Sequence, residues 1–335
     1  MRVRSVLKTV LSVEQAEGVG ARVRRSIGRK ELRNLDPFLM LDEFRVSKPA
    51  GFPDHPHRGF ETVTYLLQGV SAHEDFCGHS GILKPGDLQW MTAGRGVVHA
   101  EMPMSDEPIH GLQLWVNLRA ADKMVDPQYQ ELKSAEVPKP SQGGITVAVI
   151  SGEALGVKSK IYTRTPTTYL DFKLNPGAAH QQPIPLGWTA FIYTLSGRLH
   201  VGPDDNQSEI EPHHTVVLGD GDCVKVENKG SEVSHFVLIA GEPINEPVVQ
   251  HGRMDLSFLF KAACLCEFLF CLPLTLVGVF CFPLLFSQLT YSAISVILFY
   301  FQEACLALQL CSALCATVVR RAPYINKLSC IQFTT

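Results

Sequence analysis

The feature that most constrains this chain is a pattern that it carries twice. The first copy reads Phe60-Glu61-Thr62-Val63-Thr64-Tyr65-Leu66-Leu67-Gln68-Gly69, followed by Lys84-Pro85-Gly86-Asp87 and then His99. The second reads Trp188-Thr189-Ala190-Phe191-Ile192-Tyr193-Thr194-Leu195-Ser196-Gly197, followed by Gly219-Asp220-Gly221-Asp222 and then His235. β-Branched and aromatic residues favour strands, and Gly with Pro or Asp turns the chain. Strand, turn, long gap, Gly-Asp turn, strand and histidine, written twice, is the pattern of a duplicated β-barrel. Short runs such as Leu88-Gln89-Trp90-Met91 and Leu112-Gln113-Leu114-Trp115-Val116 fit the same all-β class.

The 335 residues suffice for two domains of ordinary size. We expect a first barrel over residues 1–134, a Pro- and Gly-rich linker over 135–145 and a second barrel over 146–252. From Arg253 the composition breaks sharply. Eight of the ten cysteines fall in this tail, 253–335: Cys264, Cys266, Cys271, Cys281, Cys305, Cys311, Cys315 and Cys330. Residues 268–302 carry no charge, a length beyond the roughly 20 apolar residues that cross a bilayer. Pro273 and Pro283 interrupt the first part, and Ser287, Gln288, Thr290 and Ser292 dilute the second. A spanning helix over 284–302, with Arg320 and Arg321 marking the cytoplasmic flank, is one reading. The abrupt break favours the other: an alternative or mis-joined coding segment without an evolved fold.

With Cys77 and Cys223 alone before the tail, the body reads as reduced and intracellular. The N-terminal run is broken by Lys8 and lacks a secretory cleavage pattern. A formal charge of −3 gives no global case for direct nucleic-acid binding.

The chemistry lies in two clusters, His55-Pro56-His57 and His99-Ala100-Glu101. In a strand, residues i and i+2 share a face, so each cluster can aim two ligands at one point. Pro56 cannot donate to a ladder, which places its segment at a strand start or a sheet edge. Three imidazoles and a carboxylate, without thiolate, argue against structural zinc. They favour Fe(II)/Fe(III) in a site with open positions, with manganese, copper and nickel left open. The metal ligands expected are therefore His55, His57, His99 and Glu101. Glu61, four residues after His57, is the rival carboxylate, and Glu61 and Glu101 are the expected proton acceptors in catalysis. The second copy lacks a His-x-His and has only His180 nearby, so one metal per chain, in the first barrel, is expected. His73, His79 and His110 are singled out by no spacing and are set aside as structural. Arg22, Arg24, Arg25, Arg29 and Lys30, with Arg33, form a basic candidate partner surface, for which a plain solvated strand face is the alternative.

At these residues the chain resembles the pirin family of bicupins. The likeness runs from about residue 10 to 252. It is carried by Glu17-Gly18-Val19-Gly20-Ala21-Arg22-Val23-Arg24-Arg25, Leu35-Asp36-Pro37-Phe38 and Pro53-Asp54-His55-Pro56-His57-Arg58-Gly59-Phe60-Glu61-Thr62. To these are added Leu88-Gln89-Trp90-Met91-Thr92-Ala93-Gly94-Arg95-Gly96, His99-Ala100-Glu101-Met102-Pro103 and Pro212-His213-His214-Thr215. The resemblance implies two tandem cupin (jelly-roll) β-barrels facing each other, with few helices. It implies a single iron on the positions of His55, His57, His99 and Glu101. It further implies a monomer in nucleus and cytoplasm that acts as a transcriptional coregulator. Its partners would be NF-κB, nuclear factor I and ankyrin-repeat coactivators, bound according to the iron oxidation state. Some family members cleave the flavonol quercetin with dioxygen. The tail does not resemble the family.

Overall fold

The strand Phe60–Gln68 is buried over its first seven residues, on both faces. That is the mark of a strand in the middle of a sheet that is covered on two sides. The computed structural model describes residues 1–17, 20–251 and 331–333. Over these residues the chain is nearly all β, with a single 3₁₀ turn at Ala120–Asp122.

Residues up to 248 form one compact unit of two facing cupin barrels. In the first, a seven-stranded sheet runs in the order Gln128–Leu132, Leu88–Thr92, Phe60–Gln68, Ile109–Asn117, Phe38–Val46, Ala21–Ile27, Glu14–Glu17. A four-stranded sheet, Phe52–His57, Val97–Pro103, Ser71–Asp75, Ser80–Leu83, lies against its inner face. Val23, Phe44, Leu66 and Ile109 from the larger sheet meet Leu83 and Phe52 from the smaller. The second barrel repeats the plan. Its seven strands are Val6–Leu11, His214–Leu218, Thr189–Ser196, Ser234–Gly241, Thr167–Leu174, Ile145–Ser151 and Ser141–Gln142. Its four are Ala179–Pro183, Cys223–Glu227, Leu199–Val201 and Ser208–Ile210. Separately, Val249–His251 pairs in parallel with Ile331–Phe333.

Two of the expected boundaries shift. The strand Val6–Leu11 is hydrogen-bonded to His214–Leu218, so the first residues complete the second barrel and not the first. Arg4 fixes this crossing from a buried position, donating to Trp188 O at 2.7 Å, Pro185 O at 3.0 Å and Gly219 O at 3.2 Å. The linker is also absorbed. Ser141–Gln142 pairs with Ile145–Ser151, and the carbonyls of Pro138 and Pro140 accept bonds from Val149 and Val147. Proline supplies no N–H, but its carbonyl can still extend a sheet edge.

The outer faces of the two large sheets pack on each other. Val63, Tyr65, Trp90, Leu112 and Leu114 meet Ile150, Tyr169, Phe191, Val237 and Ile239 in one continuous cluster. Two equivalent polar networks are set into this seam. Tyr65 Oη donates to Asp171 at 2.9 Å, and His235 Nε2 contacts the other Asp171 oxygen at 2.6 Å. Tyr193 Oη donates to Glu43 at 2.7 Å, and His110 Nε2 contacts Glu43 at 2.8 Å. Each tyrosine comes from one barrel, and each carboxylate and its strand-neighbour histidine from the other. The equivalence corrects the repeat. Strand order matches His235 with His110, not with His99, and matches the Gly219–Asp222 turn with the Gly94-Arg95-Gly96 turn. The membrane helix considered for 284–302 lies outside the described residues. Among those described, no helix is long and apolar enough to cross a membrane.

Tyr65→Phe and Tyr193→Phe should each destabilise the protein by about 1.5–3 kcal/mol in urea unfolding, the range for a hydrogen bond to a charged group. The exposed Tyr162→Phe should stay within about 0.5 kcal/mol. Although burial opposes its charge, His110, His213 and Tyr193 hold the Glu43 carboxyl below its ordinary value of 4.5. A depressed carboxylate stabilises the fold above its unfolded value and loses that contribution as pH falls. Stability should therefore drop below pH 4.5, and Glu43→Gln should flatten that acid limb.

Candidate metal centre

His55 and His57 come from Phe52–His57, the edge strand of the four-stranded sheet, where the missing N–H of Pro56 breaks no ladder. Its neighbour Val97–Pro103 places His99 directly opposite His55 and Val97 opposite His57. One ring nitrogen from each of His55, His57 and His99 lies within 4.8 Å of the others. His55 Nε2 and His99 Nε2 are 3.1 Å apart. Ligands about 2.1 Å from one ion and at right angles to each other stand about 3.0 Å apart, so this spacing suits a shared metal.

The hydrogen bonds argue the same way. His55 Nδ1 lies 2.9 Å from Pro53 O, which keeps the proton on Nδ1 and turns the Nε2 lone pair to the cluster. Both ring nitrogens of His57, and Nδ1 of His99, are buried without a partner. Buried polar atoms are nearly always satisfied, so orphans at this density call for an ion. Burial, followed by the neighbouring imidazoles, pushes His57 well below its ordinary value. Burial likewise lowers His99 to about 4. Both rings are thus neutral, with lone pairs free for a cation, across the physiological range. Phe60 and Trp115 wall the site, their ring centroids 5.3 and 5.4 Å from that of His57. His55 is the least buried of the three, so the site opens on its side.

Glu101 is on the buried face of its strand, two residues beyond His99. It stands outside the close group of three imidazoles. Its oxygens accept bonds from Thr64 Oγ1 at 3.1 Å and Gln113 Nε2 at 3.0 Å, and Gln113 Oε1 in turn accepts from Trp115 Nε1 at 3.4 Å. Burial works against its charge, but His99, His55, Gln113 and Thr64 lower its pKa and keep it ionised. Thr64, Gln113 and Trp115 were not expected at the site. The signal was present: Thr62 and Thr64 alternate with Val63 and Tyr65, which marks a polar inner face.

Glu61 does not reach this site. It accepts a bond from Thr92 Oγ1 at 2.7 Å, on the face of the sheet that carries Val63 and Trp90. The period-two count from His57 fails because Gly59, at φ +78°, turns the chain into a different sheet. Burial raises the Glu61 pKa. In the second barrel, His180 contacts Gln182 and lies against Phe172, while Val224 and Val226 occupy the strand equivalent to Val97–Pro103. A cavity of about 550 Å³, lined by Arg45, Tyr65, His110, Asp171 and His235, lies in the seam and shares no residue with the imidazole cluster.

The basic surface divides. Arg22 and Arg24 face outward, Arg22 pairing with Glu14 at 2.5 Å and Arg24 donating to Ser12 O at 3.2 Å. Arg29 pairs with Glu31 at 2.6 Å, and Lys30 is exposed. Arg25 leaves the set: it is largely buried and donates to both oxygens of Asp42 at 3.0 and 2.8 Å, with Glu17 at 3.1 Å. Burial opposes its charge, yet Asp42 and Glu17 raise its pKa.

Fold and site together define a bicupin with a histidine-built metal centre in its first barrel. Sequence comparison narrows this: the Pirin family model matches residues 20–116, the Pirin C-terminal cupin domain model matches residues 169–254, and the chain belongs to the pirin family. It is 74% identical over 250 residues to Pirin of Homo sapiens, covering 74% of this chain and 86% of that protein. Identity and coverage are the same for Pirin of Mus musculus. Among solved structures, a quercetin 2,3-dioxygenase from Acinetobacter baumannii is 30% identical with a TM-score of 0.70, covering 80% of this chain and 99% of that one.

In the metal-free protein, the imidazole signals of His57 and His99 should not titrate between pH about 5 and 8, read by NMR. Their depressed pKa values have a stability consequence. Protonation favours the unfolded chain, so the metal-free protein should lose stability as pH falls from 6.5 towards about 4. Saturating metal should remove that loss until the ligands themselves protonate.

Proposed function

We propose that the chain is an iron-dependent oxidoreductase that opens the ring of flavonols with dioxygen, a quercetin 2,3-dioxygenase. The observation that carries this is the set of three converging imidazoles, with orphaned buried nitrogens on His57 and His99, on an open barrel edge. The 30% identity to a quercetin 2,3-dioxygenase, spanning nearly all of that protein, supports the substrate class. The donor set, three histidines and a nearby carboxylate without thiolate, favours iron. When bound, the ion supplies Lewis acidity and one-electron chemistry towards dioxygen.

The chain's residues supply the rest. His55, His57 and His99 hold the ion, and the half-buried His55 leaves the entrance from solvent. Phe60 and Trp115 offer an apolar aromatic wall for an aromatic substrate. Glu101, ionised and fixed by Thr64 and Gln113, takes the enolic proton on a carboxylate oxygen.

A second reading rests on the high identity to mammalian Pirin over the whole body of the fold. In it the chain is a nuclear coregulator whose affinity for transcription factors of the NF-κB type follows the iron oxidation state. One unit of charge added inside a dry barrel is a large local change. Arg22, Arg24, Arg29 and Lys30 form the outward partner face.

Oxygen uptake by the anaerobically Fe(II)-loaded full chain with quercetin tests the first reading. Turnover is expected, lost in His57→Ala and reduced on the order of a hundredfold in Glu101→Gln. One bound iron without uptake would overturn it. For the second, Arg22→Glu with Arg24→Glu should abolish oxidation-dependent binding of the partner while iron content stays unchanged.

A further inference from the structure

A second ligand cluster sits in the same barrel. His73, on Ser71–Asp75, His79, in the following turn, and Glu131, on Gln128–Leu132, bring one ligand atom each to within 4.8 Å of one another. His73 Nε2 and His79 Nε2 lie 3.0 and 3.1 Å from the same Glu131 oxygen. These are again the separations of ligands at right angles around an ion, about 3.0 Å for bonds of about 2.1 Å. Two histidines and one carboxylate on one side, with the other side open, is a known donor set for divalent transition metals.

Three features show that the cluster is prepared. First, His79 is preset. Its backbone N–H donates to Asp75 Oδ1 at 2.9 Å, and its ring stacks on Tyr129 at 3.9 Å, whose hydroxyl donates to Asp75 Oδ2 at 2.7 Å. Second, Gly81 makes room. Its φ lies outside the left-handed region, so the backbone does not require glycine, yet a Cβ there would strike His73 Nε2 and lie 2.9 Å from Cε1. Third, Gln89 is 1% exposed and turns its amide to the cluster, Nε2 lying 2.9 Å from Glu131 Oε1, while its own Oε1 is buried without a partner. A half-turn of that amide would present Oε1 to a cation and satisfy it.

We propose that His73, His79 and Glu131 form a second binding site for a divalent first-row transition ion, distinct from the three-imidazole centre. The site joins the hairpin Ser71–Asp75/Ser80–Leu83 of the small sheet to the edge strand Gln128–Leu132 of the large one. The ion is a clamp between the barrel's two sheets. His73 stands opposite Glu101 in the Val97–Pro103 pairing, so the clamp also fixes the strand that carries His99 and Glu101.

Zinc is the probe. Full-length chain is saturated with Zn(II), dialysed, and its metal counted by native mass spectrometry beside His57→Ala, His79→Ala, Gly81→Ala and the double variant His57→Ala/His79→Ala. The cysteine-rich tail contributes equally to all five, so the differences isolate the two sites. His79→Ala and Gly81→Ala should each bind one zinc fewer than the unaltered chain, and the double variant two fewer. Zinc should raise the melting temperature of His57→Ala but act less on the double variant. If His79→Ala and Gly81→Ala bind as much zinc as the unaltered chain while His57→Ala binds one fewer, the second site does not exist. The His79 side chain is 37% exposed, so His79→Ala should keep the fold even if the clash of Gly81→Ala with the buried His73 ring does not.

Discussion

Burial of both faces of the two seven-stranded sheets is the constraint from which the rest follows. Once the inner face of each large sheet lines a barrel and its outer face lines the seam, few side chains in their middle meet water. A polar group there must find a protein partner or cost about 1–3 kcal/mol. The inner face of Phe60–Gln68 and Ile109–Asn117 meets this with Thr64 and Gln113, both spent on Glu101. The outer face meets it with two tyrosine–carboxylate–histidine sets, each shared between the two barrels. Both solutions have a single geometry. The carboxylate beside the metal centre and the registry of the barrels are therefore set by the same two-sided burial.

What the sequence disclosed follows from how local each signal is. Alternation within one strand is local, so the duplicated barrels, the His-x-His pair and its partner strand were legible. The order of turns was less so. Gly94-Arg95-Gly96 and Gly219-Asp220-Gly221-Asp222 both precede the strand next to the edge, yet the Gly-Asp composition of the second resembles Gly86-Asp87, one hairpin earlier. That similarity paired His235 with His99, where the sheets pair it with His110. Glu61 misled for a related reason: a period-two count holds within a strand, and Arg58-Gly59 ends one. Arg25 looked like its neighbours Arg22 and Arg24, but side chains alternate, and Asp42 waits on the other face.

Other features had no local signal at all. His73, His79 and Glu131 lie in different segments, and only the packing of small sheet on large brings them together. The place of Val6–Leu11 was equally hidden, because a strand's composition does not name the edge it will join.

That first strand sets an order on biosynthesis. Its partner, His214–Leu218, leaves the ribosome long after it does. The first barrel has all its own strands once residue 132 has emerged, whereas the strand ahead of it must stay unpaired until residue 218 follows. Leu7 and Leu11, exposed even in the finished protein, are in that waiting stretch with Val10. A growing chain therefore carries an open, apolar strand through most of its own translation, and closure of the second barrel is the step that retires it.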